Sequence, residues 1–215
     1  MARRHALLAV ALVLCAVAAS AQDLQAGRDY DVITPPQPTS SASQVVVTEF
    51  FSYACPHCFS FNPTLTIWVN RLPKDVRFER VAVVFGKGAN WQKLAQVFYA
   101  LNAIGKAEQL SPAVFGALHV ERADWQTDAK IIDWMAAHGV NRGEFEAAFN
   151  SFSLKALVAN ADQVAAAHKV RTVPTLVVDG KYARQINDNA NGDFPQQLAI
   201  VDRLIDKARA EKKPQ

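Results

Sequence analysis

Cysteine is scarce in this chain of 215 residues, which contains only three. Cys15 stands inside an N-terminal apolar run, so Cys55 and Cys58 are the pair left for the rest of the chain. A structural zinc site ordinarily draws on a second cluster of cysteine or histidine at short spacing, and none is present. The remaining internal histidines stand singly, at His57, His119, His138 and His168. We therefore expect neither a metal nor another cofactor, although a zinc site on the two cysteines remains the weaker alternative.

An excess of charge of one sign is also absent. The chain has 23 basic and 20 acidic residues, and two of the basic residues, Arg3 and Arg4, fall in the apolar N-terminal segment. Without that segment the net charge is close to zero, which argues against nucleic acid as a partner.

Long apolar runs occur only at the N-terminus, where residues 1–21 read as a signal peptide. The segment has basic residues at Arg3 and Arg4, an apolar run over Ala6–Ala18 and a small-residue cleavage site at Ala19-Ser20-Ala21. The apolar run is too short to span a bilayer, so we expect cleavage, export and a mature chain that begins near Gln22. Lipid attachment at Cys15 is the weaker alternative, because Leu14 is not the small residue such a signal needs before its cysteine.

The two remaining cysteines follow an apolar strand. Residues Val45–Phe51 are β-branched and aromatic, and the chain from Phe59 onward has a helical pattern, so the cysteines fall on a strand-to-helix turn. There the unpaired N–H groups and the dipole of the helix favour the thiolate form of Cys55. A stabilised thiolate is a good leaving group, so the Cys55–Cys58 disulfide should be easily reduced and therefore oxidising. An inert structural disulfide is disfavoured, since so short a loop constrains the unfolded chain little.

The two residues between the cysteines act in the same direction. Pro56 suits the first turn of a helix because it has no N–H to leave unpaired. His57 can carry a positive charge close to a sulfur atom. Both features favour a more oxidising pair.

The segment Phe50-Phe51-Ser52-Tyr53-Ala54-Cys55-Pro56-His57-Cys58 resembles the active-site segment of the DsbA family of thiol:disulfide oxidoreductases. The resemblance implies an α/β, thioredoxin-like fold with an inserted helical domain. It implies a periplasmic protein that donates its Cys55–Cys58 disulfide to newly exported proteins through a mixed disulfide, with that disulfide as its only redox group. It also implies a DsbB-like membrane quinone reductase as re-oxidant. Nothing in the sequence demands more than a monomer.

The pattern along the chain also predicts how the rest of the chain is organised. Prolines and small polar residues make residues 22–44 an extended N-terminal arm, and residues 76–85 read as a second core strand. Apolar residues then repeat at helical spacing and glycines mark the ends of the helices. This segment is far longer than one connection between neighbouring strands requires. We therefore predict a thioredoxin-like domain formed by residues 45–88 and 153–215, interrupted by an inserted helical domain of residues 89–152.

Glu49 is anomalous, because it places a carboxylate in an otherwise apolar strand. An isolated charge is costly in a core, so the simple interpretation puts Glu49 on an exposed face or at a strand end. The resemblance implies instead the buried acid of thioredoxin-like proteins, which lies beneath the inner cysteine and relays a proton to or from Cys58.

Pro174 is the other unusual residue, because it opens an apolar strand that is followed by a turn at Asp179-Gly180. Proline at a strand edge is common and needs no function. The resemblance implies that Val173 and Pro174 form the cis-proline loop, which faces the two cysteines and holds an incoming peptide like an added strand.

Two other functions compete with the oxidase. An exported reductase or isomerase on the same fold would need a less acidic Cys55 and usually a dimerisation domain, for which residues 22–44 leave no room. A non-catalytic peptide-binding chaperone would use the groove around Val173 and Pro174 without needing the cysteines.

Overall fold

The computed structural model describes residues 23–187 and 193–212. The predicted signal peptide, residues 1–21, lies outside the described residues. The strands are β1 (Asp31–Val32), β2 (Val45–Phe51), β3 (Val76–Ala82), β4 (Thr175–Val178) and β5 (Tyr182–Gln185). The helices are α1 (Pro56–Val69), α2 (Ala89–Ala103), α3 (Ala107–His119), α4 (Asp128–Ala137), α5 (Arg142–Phe149), α6 (Phe152–Ala167) and α7 (Phe194–Lys212).

The five strands form one mixed sheet in the order β1-β5-β4-β2-β3. Strand β2 pairs parallel with β3 and antiparallel with β4, and six of its seven residues are buried. Helix α1 connects β2 to β3, which confirms the predicted β-α-β unit. The two cysteines therefore lie at the carboxyl end of a buried central strand, where sites of open α/β sheets are found.

Each face of the sheet is covered by helices. On one face, Val47 and Leu176 pack against Leu65 of α1 and Leu198 of α7. On the other face, Phe50 of β2 packs with Ala165 of α6 and with Val177 of β4. This two-sided burial explains why β2 is nearly continuously apolar.

The helices α2 to α5 pack into a cluster of their own that continues into the cysteine turn. That cluster contains Phe51, Tyr53, Cys55 and Cys58 together with the buried residues of these helices. The three tryptophans of this segment pack in the cluster or against it, at Trp91, Trp125 and Trp134. The helical segment thus forms the wall behind the cysteines. Helix α6 begins beside residue 153 and packs both in this cluster and against the sheet. The domain limits at 88/89 and 152/153 therefore stay predictions.

The extended N-terminal arm is held against the hairpin of β4 and β5. Its Ile33 is buried, and the backbone N–H of Gln37 donates to the carbonyl of Gly180 at 2.9 Å. Gly180 lies in the predicted turn with φ +64°, and a Cβ there would approach the carbonyl oxygen of Gln37 to 2.1 Å. Glycine is therefore required at this turn by both its backbone conformation and the close approach of the arm.

Candidate active site

Cys55 is the N-cap residue of α1, and Pro56 occupies the first helical turn. Cys55 has extended backbone angles, φ −87° and ψ 118°, and its sulfur is influenced by the backbone N–H groups of Cys58 and His57 in that turn. The position predicted from the sequence, on a turn between strand and helix, is confirmed. Pro56 and His57 are exposed, whereas Cys55 is 5% and Cys58 0% exposed.

Cys55 lies in an environment that favours its thiolate. Both cysteines are free thiols in this structure. A hydrogen bond from the Cys58 side chain is the largest influence that lowers the pKa of Cys55, to about 6, against the opposing effect of burial. The backbone N–H groups of Cys58 and His57 and the charge of His57 lower the pKa further. The helix terminus and His57 thus act as expected, but the contribution of Cys58 was not foreseen.

Cys58 has the opposite character one turn further into the helix. Complete burial raises the pKa of Cys58 well above the usual range of a thiol, and its hydrogen bond to Cys55 adds to the increase. The negative charges of Cys55 and Glu49 act in the same direction. At neutral pH the reduced pair therefore holds one thiolate, on Cys55, and one proton, on Cys58.

The loop at Val173 and Pro174 faces the cysteines. The peptide bond between these residues is cis, and the thiol of Cys55 donates to the carbonyl oxygen of Val173 across 3.5 Å. Pro174 is buried and Val173 partly so. The structure thus brings together two segments that are 118 residues apart in sequence. Ionisation of Cys55 forfeits this bond, so the carbonyl favours the thiol while the groups named above favour the thiolate.

Glu49 is buried beneath this turn and forms an ion pair with Arg80. The two residues are direct partners in the register of β2 and β3, and Arg80 Nε lies 2.6 Å from Glu49 Oε2. Each side chain is 3% exposed, so the interpretation that placed Glu49 on an exposed face is wrong. Burial raises the pKa of Glu49, and the guanidinium of Arg80 opposes that rise. Burial therefore favours the neutral carboxyl, whereas the ion pair with Arg80 favours the charged one.

Arg80 was not singled out by sequence reasoning, yet it joins three elements at the site. Its guanidinium donates to Asn62 Oδ1 of α1 at 3.1 Å and to Glu108 Oε2 of α3 at 3.4 Å. It also lies 5.5 Å from the ring centroid of Phe51. One signal was available, because a buried carboxylate requires a cation and Arg80 occupies the neighbouring strand of the predicted β-α-β unit.

Helix α3 contacts residues on both sides of the cysteines. The hydroxyl of Tyr53 forms a buried hydrogen bond of 2.7 Å with Ser111 Oγ. His119 Nε2 lies 2.8 Å from the carbonyl oxygen of Tyr53, and its ring stacks on Phe59 at 4.9 Å. The helical segment therefore fixes the turn before Cys55 and the first helical turn after it. Nothing local in the sequence signals these contacts, since 58 residues separate Tyr53 from Ser111.

Within residues 23–187 and 193–212, no three histidine, cysteine, aspartate or glutamate side chains converge as a metal site. The helices of these residues include none that is both long and apolar enough to cross a membrane.

Comparison with known proteins places the fold and the turn in one family. Residues 46–198 match the family model described as a DSBA-like thioredoxin domain. The thiol:disulfide interchange protein DsbA of Pseudomonas aeruginosa PAO1 is 38% identical over 200 residues, which cover 93% of each chain. That of Burkholderia cepacia is 34% identical over 187 residues, which cover 86% of each chain. The crystal structure of P. aeruginosa DsbA superposes with a TM-score of 0.81 at 36% identity, covering 90% of this chain and 99% of that one. The predicted thioredoxin-like α/β fold is thereby confirmed, and the chain belongs to the DSBA-like thioredoxin family.

Proposed function

We propose that this protein is a thiol:disulfide oxidoreductase that donates its Cys55–Cys58 disulfide to newly exported proteins. The observation that carries the proposal is the opposite character of the two sulfurs, one acidic and near the surface, the other buried and protonated. An acidic Cys55 stabilises the reduced enzyme, and a stabilised reduced form makes the disulfide a strong oxidant. The same observation weighs against a reductase, which would need a less acidic Cys55.

The first step is attack by a substrate thiolate on Cys55. Cys55 is 5% exposed, whereas Cys58 has no exposure. The Cys55–Cys58 bond breaks, a bond forms between the substrate sulfur and Cys55, and Cys58 leaves with the electron pair. Because burial raises the pKa of Cys58, the departing thiolate takes up a proton. Glu49 supplies that proton in our proposal, since its own pKa is raised and its charge acts on Cys58.

The second step releases the substrate. A second substrate thiolate attacks the substrate sulfur of the mixed disulfide, a substrate disulfide forms, and Cys55 departs as a thiolate. The N–H groups of α1 and the Cys58 thiol stabilise that thiolate, which favours release. The substrate has lost two electrons, and the enzyme has gained them as one thiolate and one thiol.

Val173 and Pro174 position the substrate in this scheme. Their loop lies against Cys55, so an extended substrate beside it would present its cysteine to the reacting sulfur. Arg80 supports the reaction indirectly, by holding Glu49 in the core.

The reduced enzyme needs an electron acceptor before it can act again. We propose a DsbB-like membrane quinone reductase for this step, with the protein acting as a periplasmic monomer. Membership of the DSBA-like family supports this assignment.

The test is to mix the oxidised mature protein with a reduced, unfolded secreted protein and to follow the loss of substrate thiols. Wild-type protein should transfer close to one disulfide per molecule. Cys55→Ser should abolish transfer. Cys58→Ser can be prepared with a mixed disulfide at Cys55, and only an external thiol should then release the group bound to Cys55. Replacement of both cysteines by serine is the control for the alternative function. If wild type removes no substrate thiols and that variant binds the unfolded protein as well as wild type does, the protein is a peptide-binding chaperone instead of an oxidoreductase.

A further inference from the structure

A charged groove runs along the edge of the sheet next to the Val173 loop. Two adjoining cavities, of about 380 and 290 Å³, share the same walls and differ in which end they reach. One wall is the segment between α6 and β4, and the other is formed by β1 and β5. We call this feature the basic groove, lined by Asp31, Lys169, Arg171, Thr172, Ala183 and Gln185.

The basic groove ends at Thr172, next to the loop that contacts the reacting sulfur. Thr172 directly precedes Val173, whose carbonyl oxygen lies 3.5 Å from the sulfur of Cys55. Since an extended chain advances roughly 3.3 Å per residue, Arg171 lies within about two residue lengths of Val173. A substrate that extends from Cys55 along the Val173 loop towards Arg171 would bring its neighbouring residues to this wall.

Within residues 23–187 and 193–212, no ion pair neutralises the charges in the basic groove. Lys169 and Arg171 are exposed, and their side chains make no hydrogen bond or ion pair among the described residues. Asp31, on the opposite wall, is likewise unpaired. Two cations and one carboxylate leave an excess of positive charge that faces the substrate path. Acidic side chains complement such a surface.

Lys169 has a second distinguishing feature, which is its backbone conformation. It follows α6 with φ +57°, and its N–H and that of Val170 donate to the carbonyls of Ala166 and Ala165 at 2.9 Å each. This is the left-handed position that closes many helices, where glycine is favoured because it has no Cβ. A lysine here imposes backbone strain, so local geometry does not account for its presence.

We propose that the basic groove is a specificity subsite that binds acidic residues of the reduced substrate within two or three positions of its attacking cysteine. The inference rests on the proposed function and adds to it the class of substrate segment that reacts fastest. Lys169 and Arg171 supply the attraction, and Asp31 limits it.

Three dithiol peptides test the proposal. They are identical except that the residues two positions before and after the attacking cysteine are both Glu, both Gln or both Lys. The measured quantity is the second-order rate at which each peptide reduces the enzyme disulfide, divided by its rate with a small-molecule disulfide to remove differences in thiol reactivity. We expect the Glu peptide to react about five-fold faster than the Lys peptide at low salt, as one or two exposed ion pairs allow. The ratio should fall towards one in 1 M salt.

Charge-reversed variants locate the effect. The double variant Lys169→Glu/Arg171→Glu should abolish or invert the preference for Glu, and Asp31→Asn should increase it. Lys74→Glu is the matched control, because Lys74 is exposed and precedes β3 at the end of the sheet opposite the cysteines. An equal ratio in wild type and the double variant would overturn the proposal. The Gln peptide separates the two hypotheses, since failure of wild type to oxidise it overturns the proposed function together with the subsite.

Lys169→Gly separates charge from stability. Glycine relieves the left-handed strain, so this variant should have a higher midpoint of thermal unfolding than wild type. It should nevertheless lose part of the preference for the Glu peptide. An unchanged preference in this variant would exclude Lys169 from the subsite.

Discussion

The outer and inner sides of the cysteine turn shift the pKa of a thiol in opposite directions. On the outer side, Cys55 lies at the end of α1 among N–H groups, and its pKa falls to about 6. On the inner side, Cys58 lies one helical turn away among apolar groups, above the Glu49–Arg80 ion pair, and its pKa rises. The comparison teaches that the spacing of the motif places the two sulfurs together, whereas the surroundings decide which one carries the charge.

The largest expected effect comes from removing the Glu49–Arg80 ion pair on the inner side. Arg80→Met leaves Glu49 buried without its cation, which should cost about 3–5 kcal/mol of unfolding free energy at pH 7. The folded-state pKa of Glu49 rises further in this variant, so its protonation relieves the penalty as the pH falls towards 4. Urea unfolding of the reduced protein at both pH values measures the effect.

The matched control for that experiment removes the charge as well as its partner. Glu49→Gln/Arg80→Met should recover much of the lost stability, and Lys74→Met, at an exposed site, should lose almost none. An equal loss in Arg80→Met and the double variant would show that packing of the arginine, not compensation of charge, is what matters.

A smaller effect is expected when Cys55 loses the neighbouring thiol of Cys58. Cys58→Ala removes the thiol that donates to Cys55, so the pKa of Cys55 should rise by about one unit, or 1.4 kcal/mol. Cys58→Ser keeps a donor and should raise the pKa less. Thiolate absorbance at 240 nm as a function of pH reports the midpoint. Identical midpoints in Cys58→Ala and Cys58→Ser would contradict the role of this hydrogen bond.

The smallest effect is expected at the exposed rim of the turn. His57→Ser keeps the backbone N–H but removes the ring charge, which is the least of the influences that lower the pKa of Cys55. We expect an intact fold and a disulfide less oxidising by up to about 15 mV at pH 7. A potential equal to that of wild type would show that His57 has no such role.

Local patterns explain how much of the fold was predictable. The apolar strand β2, the helix that begins at Pro56 and the turn at Gly180 all follow from residues adjacent in sequence. The resemblance then supplied what spacing alone left open, namely the buried position of Glu49 and the approach of Pro174 to the cysteines. The structure bears out both of these placements.

The groups that were missed act across long stretches of chain. Ser111 and His119 reach the turn from the helical segment, and their contacts with Tyr53 depend on how α3 packs against α1. Arg80 belongs to the predicted second core strand, and no rule of local sequence pairs it with Glu49. Register between strands decides that contact, and register is a tertiary property.

The equilibrium of the mature protein with glutathione, measured from pH 5 to pH 8, tests the asymmetry of the two sulfurs most directly. A Cys55 pKa of about 6 should make the disulfide about 30 mV more oxidising at pH 7 than a pair of ordinary thiols in the same fold. Reduction takes up one proton above that pKa and two below it. The potential should therefore fall by about 30 mV per pH unit above pH 6 and by about 60 mV per pH unit below it. A single slope of about 60 mV across the whole range would show that Cys55 is an ordinary thiol and would contradict the account.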